Sequence, residues 1–343
     1  MKILVTGATG FVGQRYVKHL CSRHELTVFC CGRNATIGEQ LKKTGAHFYR
    51  GDLLDENFVS HICRGMDVVV HCAGQTAIWG DYQQFHQGNV VTTDNLIAAC
   101  KKNNVSRFVN LSTPSIYFDF RDHLNITEDY LPSRFSDNYA RTKYQAERRV
   151  SAAHCDQFRT VSLRPRLIVG VGDQSFFPRL IEMHQKGKLK RIGPGRNVVS
   201  VTSIENLLHA MDLCVLGGED ALGDVYNISN PLPVNFWSMV DDLFEAIDMP
   251  KLTHMVPYPL AYGAGWVSEC VASLLRRDQE PDILPLKVSI SARSMTLSID
   301  KARQKLSYRP VMTIEDSIVK YAENWKQQVA KQEALKSKDL LEK

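Results

Sequence analysis

Short apolar runs alternate with helical patterns through the first half of the chain. KILVT, LTVFCC, HFY, DVVVHCA, RFVNLS and RTVSLRP read as strands, three to seven residues long and rich in Val, Ile, Leu, Phe and Cys. Between them FVGQRYVKHLCSR, IGEQLKKTG, DENFVSHICRG, a long segment from Tyr82 to Asn103, and Tyr139 to His154 carry the three-to-four-residue apolar spacing of amphipathic helices. Short, largely apolar strands alternating with helices predict a parallel sheet covered on both faces. Right-handed crossovers turn that order into a doubly wound α/β sheet of Rossmann type.

The rhythm breaks after Pro165. SFFPRLIEMHQKG reads as a helix between the Gly-rich loops GVGDQ and KRIGPGRN, and the sheet pattern resumes with ENLLHAMDLCVL and DVYNIS. Beyond Pro231 the chain is helical and rich in proline. The expected organisation is a nucleotide-binding domain over residues 1–170, to which 198–230 return, and a smaller, mostly helical substrate lobe over 171–325. A charged helix or tail closes the chain over 326–343.

Composition narrows the function classes. The 343 residues are 44% hydrophobic and 23% charged, as in an ordinary globular protein, with a net charge of only +5. No basic run interleaved with aromatics is present, so nucleic acid is not the expected partner. The nine cysteines lack Cys-x-x-Cys spacing, which argues against a zinc site or a disulfide framework; no metal is expected. MKILVTGATG is too short in its apolar run for a secretory leader, so a reducing cytoplasm is the expected location.

Candidate chemistry begins at TGATGFVG, where Gly7, Thr9, Gly10, Phe11, Val12 and Gly13 join the first strand to the first helix. Glycine permits a tight turn and close approach of backbone to a pyrophosphate, and the helix start offers free N–H groups. A Gly-rich turn without a ligand is the bland alternative, but the strand-before, helix-after context is what a dinucleotide site requires. The second strand ends in Cys-Cys-Gly-Arg-Asn, with Arg33 where a ribose-binding acid would favour NAD. A guanidinium there favours NADP(H), with NAD(H) as the alternative if Arg33 is only a surface charge. Asp52 and Leu53, after the third strand, are expected near the adenine. Cys72, Ala73 and Gly74 end the fourth strand with side chains small enough to admit the cofactor.

Tyr139 and Lys143, in NYARTKYQAE, are ambiguous alone. Twelve tyrosines in a lysine-rich chain make a Tyr-x-x-x-Lys pair easy to find, and the segment also reads as a plain helix with i,i+4 neighbours. Thr113, in NLSTPSIYF, emerges where the fifth strand ends, at the ligand-binding edge of such sheets. With a nicotinamide nearby, the phenol of Tyr139 is the expected proton donor, Lys143 lowers its pKa, and Thr113 orients the substrate oxygen.

Taken in order, TGATGFVG, GDLLD, HCAG, Asn89 in GNVVTTDN, STPS, YARTK, the RPRLIVG strand end with Pro165, and YRP from Tyr308 resemble the extended short-chain dehydrogenase/reductase superfamily over nearly the whole chain. AIWGDYQQFHQGNVVTTDNLIAAC, LSTPSIYF and RPRLIVGVGDQSFFPRL are similar to its 3β-hydroxysteroid dehydrogenase branch, closest to the bacterial 2-alkyl-3-oxoalkanoate reductases and the sterol-4-carboxylate dehydrogenases. The resemblance implies reversible hydride transfer between NAD(P) and a secondary alcohol or ketone, with Asn89 and Pro165 at the cofactor. The family's usual catalytic Ser is Thr113 here, and Ser112 and Ser115 stand as alternative hydroxyls. A nucleotide-sugar epimerase with tightly bound NAD is the competing expectation, with Arg179 and Arg196 for a diphosphate. A cofactor-binding scaffold is the third, disfavoured by the intact YARTK.

The stretch from Val256 to Leu275 is apolar apart from Glu269. Pro257, Pro259, Gly263 and Gly265 make its first half a poor helix, and Glu269 would be costly in lipid. An internal or cap helix is expected, with peripheral membrane contact second and a span last. The expected substrate is a small, bulky, largely apolar molecule. Trp79, Tyr117, Phe176 and Phe177 are candidates to line its pocket and Arg166 to hold its carboxylate, and a homodimer is the expected assembly.

Overall fold

The computed structural model describes residues 1–275 and 280–341, with side chains described as far as residue 334. Seven parallel strands form its main sheet. In chain order the elements that build it are β1 (Lys2–Thr6), α1 (Phe11–Cys21), β2 (Thr27–Gly32), α2 (Ala35–Lys42), β3 (His47–Arg50), α3 (Glu56–Ile62) and β4 (Val68–His71). Then come α4 (Tyr82–Phe85), α5 (Thr92–Lys102), β5 (Arg107–Leu111), β6 (His123–Ile126), α6 (Asn138–Ala152) and β7 (Arg159–Pro165). The strand Val225–Ile228 adds the edge beside β7, so the order across the sheet is Val225–Ile228, β7, β5, β4, β1, β2, β3. From β1 the chain winds one way to β3 and then the other way through β4, β5 and β7. The switch lies between β1 and β4, and a crevice for ligand opens at their carboxyl ends.

The sequence pattern explains this sheet directly. Ile3, Leu4 and Val5 of β1 and Val68, Val69 and Val70 of β4 are buried on both faces, because helices cover both sides. The helix Ile204–Leu216 joins α1 on one face, and α3 and α5 cover the other. The long segment expected from Tyr82 to Asn103 is helical but not uniform, since a π-helical turn over His86–Val91 separates α4 from α5.

The second lobe has its own core, in which Trp237, Phe244, Phe177 and Tyr321 pack together. Its small sheet pairs Val198–Val199 with Val234–Asn235 and Met295–Leu297, and borrows β6 from the first half of the chain. Residues 198–230 thus divide between the two sheets. The closing helix runs from Ile314 to Leu341, beginning before the expected tail and burying Ile318, Tyr321 and Ala322.

The stretch expected to form an internal or cap helix is helical from Tyr258 to Leu274, its Pro- and Gly-rich first half included. Pro259 lies in its first turn, where no intrahelical N–H is needed. Gly265 allows the helix to lie against the next one, since a Cβ there would meet the Pro285 nitrogen at 2.9 Å. The helix is not internal: only Ala261, Gly265 and Ala272 are buried.

Candidate active site

A cleft of about 920 Å³ opens at the carboxyl ends of β1 and β4. Its floor is the loop from β1 to α1. Gly7 takes a left-handed φ of 65°, and a Cβ on it would meet the Ala73 backbone nitrogen at 2.5 Å. A Cβ on Gly13 would meet the Gly7 carbonyl oxygen at 2.3 Å, so the start of α1 and the loop can touch only without side chains. Gly10 caps α1 with no side-chain hydrogen bond, and no acid occupies the first turn. Free N–H groups and a positive helix end therefore face the cleft, bordered by Thr9, Phe11 and Val12. Such a cradle fits a pyrophosphate.

The remaining cofactor candidates fall in order along this cleft. Arg33 is exposed on its wall beside Gly32; Asp52 and Leu53 follow the neighbouring strand, whose Gly51 N–H donates to the Gly32 carbonyl, and Cys72, Ala73, Gly74 and Pro165 also line the cleft. Asp52 accepts the Leu54 N–H at 3.0 Å, which fixes the loop. Asn89 departs from the expectation of direct contact. It is buried; its carboxamide oxygen accepts the Gln75 N–H at 2.8 Å, and its amide donates to Gln75 O and to the Thr142 hydroxyl. Asn89 therefore ties the β4 loop to α6 and holds Gln75 on the cleft wall.

Tyr139 and Lys143 reach the same cleft from the first turns of α6. Asp137 caps this helix by accepting the Ala140 N–H at 2.6 Å, which sets where the phenol emerges. The Thr113 hydroxyl lies near enough to the Tyr139 phenol to favour its ionised form. Thr113 is held in turn by Ser115, donating to its hydroxyl at 3.1 Å and accepting its backbone N–H at 3.1 Å. Lys143 is 6% exposed and donates to the Leu111 carbonyl at 2.6 Å. Of the two alternative hydroxyls, Ser112 faces the cleft with its oxygen unpaired, and Ser115 supports Thr113.

Electrostatics follow from burial. Desolvation pushes the Tyr139 phenol above its usual value, the Thr113 hydroxyl pulls it back, and Asp137 adds a further upward push; the lowering expected from Lys143 is not found, because burial outweighs it. Desolvation brings Lys143 down to about 8, opposed by the negative charge of Glu147 and by Cys72. His71, beneath them, falls to about 3 through burial and the nearby Lys143 charge. It stays neutral, linked to Thr6 at 2.8 Å and Thr93 at 3.1 Å.

Other residues hold this set in place. Glu147, one turn beyond Lys143, pairs with the buried Arg164 guanidinium of β7, which also donates to the Tyr117 hydroxyl and the Glu128 carbonyl. Glu147 and Arg164 lock α6 to the sheet, and sequence patterning singled out neither. Tyr117, expected in the substrate pocket, is instead fully buried and donates to Asn227 at 2.8 Å, because its hydroxyl completes this network. Phe177 is likewise core, packed edge-on against Tyr321, whereas Phe176 borders the cleft. Trp79 is half-buried and outside the cleft lining.

Arg166 directly follows β7 between Pro165 and Leu167, both of which border the cleft. It is 9% exposed, its Nε is buried without a partner, and burial alone lowers its pKa to about 10. Leu167 beside it is held at a left-handed φ of 43°. Strained backbone of this kind concentrates at functional sites. Among the described residues no cluster of His, Cys, Asp and Glu is placed to hold a metal.

A doubly wound sheet, a glycine cradle and a Thr–Tyr–Lys set beside it define an enzyme of the NAD(P)-dependent dehydrogenase and epimerase class. Sequence comparison places it more finely: residues 4–260 match the model of the 3-beta hydroxysteroid dehydrogenase/isomerase family, and the chain belongs to that family. It is 36% identical to a 2-alkyl-3-oxoalkanoate reductase of Stenotrophomonas maltophilia, over 93% of this chain and 97% of that protein. It is 30% identical to the decarboxylating sterol-4-alpha-carboxylate 3-dehydrogenase of Bos taurus, over 92% of this chain and 90% of that one. A solved structure of UDP-glucuronic acid 4-epimerase from Bacillus cereus in complex with NAD shares the fold, with a TM-score of 0.74 at 23% identity over 96% of this chain and 99% of that one.

Proposed function

We propose that the protein is an NADP(H)-dependent oxidoreductase that interconverts a ketone and a secondary alcohol on a bulky apolar substrate, a 3-oxo or 3-hydroxy acid or a sterol-like ring. The observation that carries this reading is the placement of Tyr139 and Lys143 one helical turn apart in a cleft floored by the glycine cradle, with the Thr113 hydroxyl near the phenol. When bound, a nicotinamide would supply or accept the hydride. Gly7, Gly10 and Gly13 would receive its pyrophosphate, and Arg33 a 2′-phosphate.

In the reducing direction, Thr113 donates a hydrogen bond to the substrate carbonyl oxygen. The Tyr139 phenol gives its proton to that oxygen as negative charge develops. The phenolate left behind is stabilised by the Lys143 ammonium, which remains mostly protonated at pH 7 because its pKa is about 8. In the oxidising direction the same groups act in reverse. A carboxylate on the substrate finds an otherwise unpaired guanidinium in Arg166.

Turnover tests this reading. NADPH consumption is followed with a series of 2-alkyl-3-oxo acids of increasing chain length, and UDP-sugars are offered under NAD. Each buried methylene contributes about 0.8 kcal/mol, so kcat/KM rises with chain length until the pocket is full. Efficiency that stays flat along the series, together with epimerisation of a UDP-sugar, would give the site to a nucleotide-sugar epimerase instead. A homodimer is retained as the expected assembly, to be read by light scattering.

A further inference from the structure

Apolar side chains could fasten α6 to the sheet as well as the Glu147–Arg164 pair does. Both partners are sealed from water, the Glu147 side chain 2% and the Arg164 side chain 6% exposed. Arg164 Nε donates to one carboxylate oxygen of Glu147 at 2.8 Å, and Nη2 donates to the other. A buried pair of this kind is often no more stabilising than well-packed hydrocarbon of the same volume, because two charges must be taken out of water. Anchoring alone therefore does not account for it.

The position of the pair does account for it. Glu147 follows Lys143 by four residues, so the two side chains lie on one face of α6, a turn apart. Lys143 reaches the Leu111 carbonyl at the end of β5, and Glu147 meets Arg164 near the end of the neighbouring β7. Elsewhere, the buried Asp173 accepts N–H groups at the start of the helix Phe176–Gln185, and the buried Asp212 lies on the helix Ile204–Leu216. Among the described residues Glu147 is thus the one buried carboxylate beside Lys143.

The other titratable groups packed around the ammonium are neutral or engaged. Burial holds Tyr139 and Tyr117 above the usual phenol value and pushes Cys72, just after β4, up to about 12. His71 of β4 stays uncharged. Asp137, at the start of α6, acts on Tyr139. Asp94 of α5 pairs with Arg149 at 3.8 Å, and His86 of the π-helical turn lies against the Tyr82 ring. Burial lowers Lys143, and Glu147 is the first of the influences that oppose it; the other, Cys72, needs a thiolate that is absent at neutral pH.

Arg164 adds a second effect. It occupies both oxygens of the carboxylate, while Lys143 spends one of an ammonium's three N–H donors on Leu111. The negative charge therefore supports the ammonium from one turn away without capturing its remaining donors. We propose that Glu147, held by Arg164, is a positioning residue for proton transfer: it keeps Lys143 charged and leaves the ammonium free to act on Tyr139. The proposal rests on the reading of Tyr139 and Lys143 as the proton-transfer pair. Without Glu147 the ammonium releases its proton to water in the neutral range, and the Tyr139 phenolate forms with no cation beside it.

The test is an NMR titration of the full chain carrying carbon-13 at the lysine Cε, with the Lys143 signal identified by its loss in Lys143→Met. Wild type is expected to titrate at about pH 8. Glu147→Gln keeps the shape and removes the charge, and its midpoint should fall by at least about one unit. Glu147→Gln with Arg164→Met should show the same fall, and it leaves no buried guanidinium unpaired should the single variant not fold. Glu147→Asp keeps the charge and should titrate closer to wild type than Glu147→Gln does. Turnover of a 2-alkyl-3-oxo acid at pH 8 should fall about fivefold in Glu147→Gln, with KM little changed and the alkaline limb of the profile moved down with the midpoint. An unchanged midpoint in the folded Glu147→Gln variants would overturn the proposal even if activity were lost, since a displaced helix alone would lower activity. A midpoint that moves while the pH profile of turnover stays fixed would overturn it as well. Wild type that turns over no 3-oxo acid would count against the substrate reading, and the NMR midpoints would still decide this one.

Discussion

Lys143→Met offers a quantitative test, because the same side chain is central to the chemistry and costly to the fold. Lys143 is an ammonium shut away from water, and its pKa is lowered from 10.5 to about 8. At 1.36 kcal/mol per unit this corresponds to about 3 kcal/mol of stability forgone at pH 7, where the group is charged both folded and unfolded. Methionine occupies similar volume without charge, but leaves the Leu111 carbonyl without its donor, a loss of about 1 kcal/mol. The variant should therefore be more stable than wild type by about 2 kcal/mol at pH 7. The sign follows from proton linkage. Between pH 8 and 10.5 the unfolded chain holds the Lys143 proton more tightly than the folded one, so wild-type stability rises with pH in that window. The advantage of the variant should shrink there and reverse by about pH 10.5. Urea unfolding of both proteins at several pH values gives the difference directly, and turnover of the variant should fall by at least about 10²-fold. A variant less stable than wild type at pH 7, or a difference that does not change between pH 7 and 10, would refute the reading of Lys143 as a strained buried cation.

Three further substitutions address the rest of the site. Tyr139→Phe should lower turnover by about 10²–10⁴-fold while NADPH still quenches tryptophan fluorescence, and near wild-type activity would mean that another group moves the proton. Arg33→Ala should weaken NADPH binding about tenfold and leave NADH nearly unchanged, as measured by titration of both cofactors; an equal effect on the two would show that Arg33 does not contact a 2′-phosphate. Arg166→Gln should raise KM for a 3-oxo acid at least about tenfold and leave the KM of its methyl ester unchanged, whereas equal losses on both would remove the carboxylate contact.

The main sheet was readable because its strands are short, largely apolar runs with helices alternating between them, the pattern of a sheet covered on both faces. The glycine loop and Tyr139–Lys143 were readable because their chemistry depends on spacing along one turn or one helix. What could not be read depends on partners distant in sequence. Tyr117 looks like any pocket aromatic until Arg164 and Asn227 are seen around its hydroxyl. Phe177 differs from Phe176 only in which side of one helix turn faces Tyr321. Asn89 sits in a matching motif, but its carboxamide is taken up by Gln75 and Thr142. In the first half of 256–275 local propensity is poor for a helix, and packing prevails: Gly265, unfavourable in an isolated helix, permits the contact with Pro285.

In the proposed reaction this cleft transfers hydride between NADPH and the C3 carbon of an apolar 3-oxo acid. The most direct measurement uses NADPH deuterated at the transferring position of C4, a 2-alkyl-3-oxo acid, and mass spectrometry of the product. The account predicts one deuterium at C3 of a 3-hydroxy acid and none when Tyr139→Phe replaces the wild type. Unlabelled product, or label retained on the cofactor while a UDP-sugar is epimerised with no net consumption of NADPH, would contradict it.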